Sequence, residues 1–531
     1  MAEQRTTAAE APANENRSTT PASDAFRQHI SSGWAERPVV MPAPREQAPY
    51  AAARRLRISA LHPEKTIVIP AGDSKQRSND TDYPYRAHSA FSHLTGWGSD
   101  TVPGSVLVLE PSPEGHTPRL YLRPSAGRGS DEFYANPAIG EFWTGARPSL
   151  EHVAADLALP TGSLEELDAV LGGLRTGDGG TDVLVVREAD PALTRRIDAL
   201  RREEVSAALA REVTEASGTS VPVEVRHQDA ASALDESVTG WHSADAELAR
   251  DLSELRLVKD AYEIAQMREA IEATHTGFDD VVAALPEIVS HPRGERVVEG
   301  TFNRRARIEG NTVGYDTIAA AGAHACILHW VRNDGPVLPG DLVLIDAGVE
   351  LDSLYTADIT RTLPASGRFN DVQRRVYDAV LEAADAAFAA VRPGIRFREV
   401  HAAAMQVIAR KTAEWGLLPV TAAESLEPEA QYHRRYMVHG TSHHLGIDVH
   451  DCAQARRDFY HDGIVEAGMV FTIEPGLYFQ PDDLTVPEEY RGIGVRIEDD
   501  ILVTATGAEN LSRAIPRTAD EVEAWIARSA S

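Results

Sequence analysis

The residues most able to do chemistry lie between positions 329 and 498. Asp341-Leu-Val-Leu-Ile-Asp346 is apolar enough to be a strand buried on both faces, yet it closes on a carboxylate. Ala357-Asp-Ile-Thr-Arg-Thr-Leu363 alternates, which puts Asp358, Thr360 and Thr362 on one face and Ile359 on the other. Val470-Phe-Thr-Ile-Glu474 again runs an apolar strand into an acid, and Ile493-Gly-Val-Arg-Ile-Glu498 alternates with Arg496 and Glu498 on one face. One such acid is ordinarily a paired core residue; four together need another explanation. Buried ionised carboxylates are costly and repel one another, so the cluster requires protonation, arginine pairing or metal. The segment from Val438 to Asp451 adds imidazoles at His439, His443, His444 and His450, among glycines. Imidazole with carboxylates suits Mn²⁺, Zn²⁺, Co²⁺ or Fe²⁺, and four carboxylates suit two ions better than one.

Rival chemistries find little support. The sequence has no Gly-x-x-x-x-Gly-Lys-Ser/Thr phosphate loop, no His-Glu-x-x-His helix and no Gly-x-Ser-x-Gly nucleophile elbow. Cys326 and Cys452 lack a Cys-x-x-Cys partner, so neither builds a thiolate zinc site, and Cys326 beside Ile327-Leu328 reads as a small buried hydrophobe.

The scaffold for these residues is readable in part. Val372, Val376, Val380, Ala384 and Phe388 share one helical face, stopped by Pro393-Gly394. Val400, Met405, Ile408 and Trp415 belong to the next helix, ended by Gly416, and Ile264, Met267, Ile271 and Thr274 recur at helical spacing upstream. The polar segment Trp241–Glu247 marks a domain boundary before that upstream helix. Ahead of it, Thr66–Pro70, Ser105–Glu110 and Asp182–Arg187 read as strands, with helices near 148–158 and 192–213, an α/β domain. Residues 1–48 are rich in Ala, Glu, Thr, Ser and Pro without a sustained apolar period, which predicts a disordered tail. The chain thus divides into a tail (1–48), a first domain (49–252) and a second (253–531).

Composition narrows the class. Lys and Arg number 52 against 81 Asp and Glu, a net charge of −29, which argues against a nucleic-acid partner. The tail is near neutral, so the folded part carries the acidity. No apolar run approaches the ~18 residues of a membrane span. The first twenty residues show no basic segment leading into an apolar run, and two cysteines are too few for a disulfide framework. A soluble, cytoplasmic, multi-domain protein is expected.

Six ordered blocks are familiar. Ile345-Asp-Ala-Gly348, Asp358-Ile-Thr-Arg-Thr362, His439-Gly-Thr-Ser-His443, Asp448-Val-His-Asp451, Glu474-Pro-Gly-Leu-Tyr478 and the run from Arg491 to Asp500 resemble aminopeptidase P, the Xaa-Pro aminopeptidase of the pita-bread metallopeptidases. Tyr83-Pro-Tyr-Arg86 and Phe91-Ser-His-Leu-Thr-Gly96 resemble that family's N-terminal domain, and Leu255-Arg-Leu-Val-Lys259 the start of its catalytic domain, so the likeness spans roughly residues 50 to 525. The fold implied is α/β (α+β): a creatinase/prolidase-like N-terminal α/β domain followed by a pita-bread catalytic domain.

The resemblance implies that Asp346, Asp358, His443, Glu474 and Glu498 hold two divalent ions, with Mn²⁺ expected and Zn²⁺ or Co²⁺ as alternatives. Asp358 and Glu498 would bridge the ions; His443 and Glu474 would complete one shell and Asp346 the other. Glu474 would serve as general base and acid, and His450, with His329, would stabilise the oxyanion. His439 and His329 would flank the substrate proline, Tyr315 and Tyr478 would line the site, and Arg496 would orient carboxylates. In a homo-oligomer, a dimer or tetramer, Asp80 would contact the neighbouring subunit's cleft and Trp143 would wall its pocket. Two departures stand out: the Asp346–Asp358 interval is one residue longer than the family's, near Leu351-Asp-Ser353, and His444 replaces an aromatic residue. The substrates implied are peptides with proline second. Prolidase, which cleaves dipeptides, is the nearest alternative, and a non-catalytic pita-bread domain that binds peptides is a third.

Overall fold

Thr66–Pro70 organises the N-terminal half. Ile67 and Ile69 point to one face and Val68 to the other, and each face has its own apolar core. The strand is fourth of five in the order Thr161–Ser163, Gly115–Leu122, Val106–Ser112, Thr66–Pro70, Val183–Val185. The two inner pairings are antiparallel and the two outer ones parallel. Helices Ala48–Leu61, Ser89–Thr95, Leu150–Leu157 and the end of Val223–Glu254 cover one face through Ile58, Phe91, Val153 and Leu248. Leu167–Gly173 and Pro191–Glu215 cover the other through Leu171, Leu193 and Ile197. These are features of a computed structural model that describes residues 20–35, 40–79, 81–173, 183–215 and 223–529.

The C-terminal half is built from short antiparallel sheets under long helices. Leu342–Ala347 lies between Ile359–Pro364 and Ile318–Ala321, with Asp346 opposite Thr360 and Ile318. Asp499–Val503 lies between Val470–Ile473 and Ala508–Asn510, and Gly476–Tyr478 pairs with Gly494–Arg496. Helices Ala261–Ala283, Gly294–Glu309, Asp371–Ala390 and Arg398–Glu414 pack around them. Two of these helices start at capping boxes, Asp260 with Glu263 and Asn370 with Gln373. Val376, Val380 and Ala384 are buried as their spacing predicts, and Gly416 (φ +72°) supplies the left-handed residue after Trp415.

Two expectations change. Residues 1–19 and 36–39 of the expected tail lie outside the described residues, but Asp24–Ile30 is helical, capped by Ser23. Phe26 packs edge-on against Tyr134, Trp34 packs against Phe133, and the Arg128 guanidinium lies 4.3 Å from the Trp34 ring. Two aromatic anchors order a stretch whose average composition is polar. The polar segment Trp241–Glu247, expected as a boundary, sits inside helix Val223–Glu254. Trp241 is buried there, and buried Asp245 is bonded to Arg187, Arg201 and the Val185 N–H.

The halves meet across buried charge. Glu263 accepts from Tyr355 (2.9 Å) and faces His93 (3.4 Å) and Arg54 (3.7 Å) of the first half. Among the described residues, no helix is long and apolar enough to cross a membrane.

Candidate active site

A cavity of about 640 Å³ opens where the C-terminal sheets converge. Asp346 is the penultimate residue of Leu342–Ala347, Asp358 immediately precedes Ile359–Pro364, Glu474 follows Val470–Ile473, and Glu498 falls between Gly494–Arg496 and Asp499–Val503. The segment bearing His443 runs along the edge of the 470–473 strand: Thr472 N–H donates to His443 O, and Glu474 N–H to Thr441 O. All five expected ligands line the cavity, together with Tyr315, His329, His439, His450 and Arg496.

Ligand atoms of Asp358, His443 and Glu498 lie within 4.8 Å of one another. His443 Nε2 is 3.3 Å from Asp358 and 3.8 Å from Glu474, while its Nδ1 lies 3.1 Å from the His444 carbonyl. That carbonyl accepts a hydrogen bond from Nδ1–H and leaves Nε2 as the nitrogen facing the acids. The Tyr315 hydroxyl lies 2.6 Å from Asp346 and 2.5 Å from Asp358, so its one proton is shared between two carboxylates. Arg496 donates to Asp346, to Thr360 Oγ1 (3.1 Å) and to the Tyr478 hydroxyl (3.1 Å). The Tyr478 O–H in turn donates to His439 Nε2 at 2.8 Å.

Electrostatics follows from burial with a single arginine. Burial, with repulsion from Asp358 and Asp346, pushes Glu474 up to about 7 against the opposing pull of His443 and Arg496. Burial first, then neighbouring carboxylates, raises Asp358 and drives Glu498 well above the carboxylate range. Burial opposes a charged His443, yet Asp358 and Glu474 hold it at about 9. A field that draws a proton to that imidazole draws a metal cation by the same interaction. The donors, carboxylate oxygens and one oriented imidazole nitrogen, fit divalent ions of the Mn²⁺, Zn²⁺ and Co²⁺ kind. His439 is held neutral, at about 3, by burial and by Arg496.

Not every expected residue joins the cluster. Tyr478 reaches it through His439 and Arg496. Trp143 is 52% exposed in the N-terminal half, its indole N–H bonded to Tyr134 O, and it is not part of the cavity. Asp80 lies outside the described residues. His444 points away from the cavity into an aromatic box, stacked 4.7 Å from Phe397 and edge-on to Tyr460. On the hairpin between Asp346 and Asp358, Leu354 takes φ +71°.

Sequence reasoning assigned no role to Thr360, whose hydroxyl donates to Glu498 at 2.6 Å; its place on the Asp358 face was the available signal. It missed Asp500, which accepts from the Asp358 N–H, and Arg434, which donates to the carbonyls of Val438 and His439. Neither has a local pattern.

The family model of metallopeptidase family M24 matches residues 265–505, and that of the aminopeptidase P N-terminal domain matches residues 50–183. The chain is similar to Xaa-Pro aminopeptidase 2 of Streptomyces coelicolor, 48% identical over 94% of this chain and 96% of the relative. It is 32% identical to the Xaa-Pro aminopeptidase of Escherichia coli, over 89% of this chain and 96% of that one. Among solved structures, aminopeptidase PepP of Pseudomonas aeruginosa superposes with a TM-score of 0.72 at 31% identity, covering 91% of this chain and 99% of the other. A zinc-substituted E. coli aminopeptidase P in complex with product gives 0.72 at 30% identity, covering 91% and 98%.

Proposed function

The chain belongs to the aminopeptidase P group of metallopeptidase family M24, and from that premise we propose how its residues release an N-terminal amino acid that precedes proline. It is a metal-dependent Xaa-Pro aminopeptidase. The observation that carries the reading is the convergence of Asp358, His443 and Glu498 on the floor of a cavity large enough for a peptide end. The scissile bond is a tertiary amide with no N–H and a ring that fixes φ, which calls for a dedicated site.

In the proposal Asp346, Asp358, His443, Glu474 and Glu498 would hold two divalent ions. Mn²⁺ is the proposed metal, and Zn²⁺ or Co²⁺ would suit the same donors. When bound, the ions acidify a water molecule so that it is a nucleophile near neutral pH. Glu474, which lines the cavity beside His443, would take that water's proton and return it to the proline nitrogen. His450, with His329, donates to the oxygen that becomes negative as the carbonyl carbon turns tetrahedral. His439, held neutral by burial, and His329 flank the proline ring, and Val449 and Leu328 add apolar wall. Tyr315 spans the Asp346 and Asp358 carboxylates, and Arg496 with Tyr478 fixes Asp346 and His439.

The proposal extends beyond one chain. Asp80 and Trp143 are assigned to the cleft of a neighbouring subunit in a dimer or tetramer, and the exposure of Trp143 supports that assignment. A domain division near residue 252 is supported by a change of core between Leu255 and Leu257. A cytoplasmic location accords with two free, buried cysteines.

Hydrolysis of an Xaa-Pro-Xaa tripeptide, before and after exhaustive chelation, tests the reading. Cleavage that vanishes with the metal and returns with Mn²⁺ is expected. Full turnover by metal-free enzyme refutes it, and cleavage of dipeptides alone would make the protein a prolidase.

A further inference from the structure

His450 stands on residues 446–454, which form neither helix nor strand, so groups outside that segment must hold its ring toward the cavity. We infer that Arg86 and Ser89 of the N-terminal half are positioning residues for His450, acting through Asp448 and the Ile447 carbonyl; the inference rests on the role proposed above for His450. Asp448 and Asp451 flank the histidine in sequence, and each is held by side chains from outside the segment. Ser89 Oγ donates to Asp448 Oδ1 at 2.5 Å, Arg86 Nη1 lies 3.3 Å from the same oxygen and 3.0 Å from Ser89 Oγ, and Arg86 Nη2 donates to Ile447 O. Arg256 donates to Asp451 Oδ1 at 2.8 Å and lies 3.8 Å from Asp448 Oδ2, and Lys259 donates to Asp451 Oδ2 at 3.0 Å.

The same guanidinium reaches the other side of the site. Arg86 Nε donates to Glu350 Oε2 at 2.7 Å and Nη2 lies 3.5 Å from Leu354 O, on the hairpin that joins the Asp346 strand to the Asp358 strand. Ser99 N–H and Oγ donate to Asp352 on that hairpin as well. One side chain thus ties the turn between two proposed metal ligands to the segment bearing His450. Both tied segments contain a side-chain-bearing residue in the left-handed region, Leu354 (φ +71°) and Cys452 (φ +61°). Such conformations persist where surrounding contacts over-determine them. Packing alone does not fix the segment: at the domain seam a partly open cavity of about 140 Å³ is lined by His450 itself with His88, Ser89, Arg256, Asp448 and Gln454. A loop with room to recede is held by its hydrogen bonds.

The test is a double-mutant cycle in full-length, metal-loaded enzyme on an Xaa-Pro-Xaa tripeptide. Arg86→Gln should lower kcat about 30-fold with KM within about threefold and metal content unchanged, Arg86→Lys should recover part of that loss, and Ser89→Ala should cost about fivefold. In a His450→Ala background the same changes should cost less than about threefold, because the group they aim is gone. Equal losses in both backgrounds, or no loss in the first, overturn the inference. If Arg86→Gln does not fold, the Ser89→Ala cycle decides by the same criterion. A crystal structure of Ser89→Ala or Arg86→Gln gives a readout independent of turnover. Displacement of residues 446–451 is expected, and an undisturbed His450 contradicts the inference even if the wild-type enzyme proves to act on another peptide.

Discussion

Two groups of buried carboxylates sit within this molecule at similar depth and behave oppositely. At the domain seam, Glu263 faces His93, Arg54 and Lys259, and Asp451 faces Arg256 and Lys259. Although burial opposes ionisation, the cations hold Glu263 down at about 2 and keep Asp451 well below the carboxylate range. In the cavity, Asp358, Glu474 and Glu498 share Arg496 and His443 and are pushed up, Glu474 to about 7. Burial therefore does not identify a working acid. The deficit of local cations does, and it is that deficit which divalent metal would fill.

The largest expected contrast comes from deleting one charge in each group. Glu498→Gln should lower kcat by about 1,000-fold or more and reduce the metal bound per chain. Glu263→Gln should instead leave Arg54 and Lys259 without their charge partner and destabilise the fold by about 3–5 kcal/mol, with metal content per folded chain unchanged. Elemental analysis and denaturant titration of both variants check this. Loss of metal in Glu263→Gln with stability intact would erase the distinction.

Stability against pH should carry opposite signs. Glu474, raised in the native state, contributes stability to the metal-free protein that is full below its unfolded value near 4.5 and is lost as pH rises through about 7. Glu263, depressed, contributes stability present above about 4.5 and lost as pH falls toward 2. Denaturation midpoints of Glu474→Gln and Glu263→Gln relative to wild type, followed from pH 3 to 8 without metal, should show Glu474→Gln gaining on wild type as pH rises above about 4.5 and Glu263→Gln gaining on wild type as pH falls below it. A parallel pair of curves would sink this.

The smallest effect is expected at His444. Burial and Lys259 hold that imidazole neutral, at about 3, inside the aromatic box, so it packs as a ring and carries no charge. His444→Phe should change kcat/KM by less than about threefold and stability by less than about 1.5 kcal/mol. A tenfold fall in kcat/KM at full metal content would give His444 a part in the chemistry.

How far the sequence reaches follows the same division. Asp346 and Glu474 were legible because each closes an apolar strand, and Asp358 because Thr360 and Thr362 repeat its face. Local pattern sufficed there, since strand period and capping are local physics. The seam was not legible: Arg86 meets Glu350 across 264 positions and Arg256 meets Asp451 across 195, contacts that only packing decides. The buried charge of Trp241–Glu247 was hidden for a related reason, since Asp245 is polar in composition but paired with Arg187 and Arg201 in the fold. Phe26 and Trp34 order a stretch whose average composition is that of a tail.

The most direct measurement is calorimetric titration of Mn²⁺ into chelated protein at pH 7, in buffers of differing ionisation enthalpy, with elemental analysis of the product. Two ions per chain, bound with release of protons from the raised carboxyls, is the expected result, unchanged in Glu263→Gln and lost in part in Glu498→Gln. Saturation at one ion or none, in protein that still cleaves the tripeptide at full rate, would contradict a dinuclear centre built from Asp346, Asp358, His443, Glu474 and Glu498.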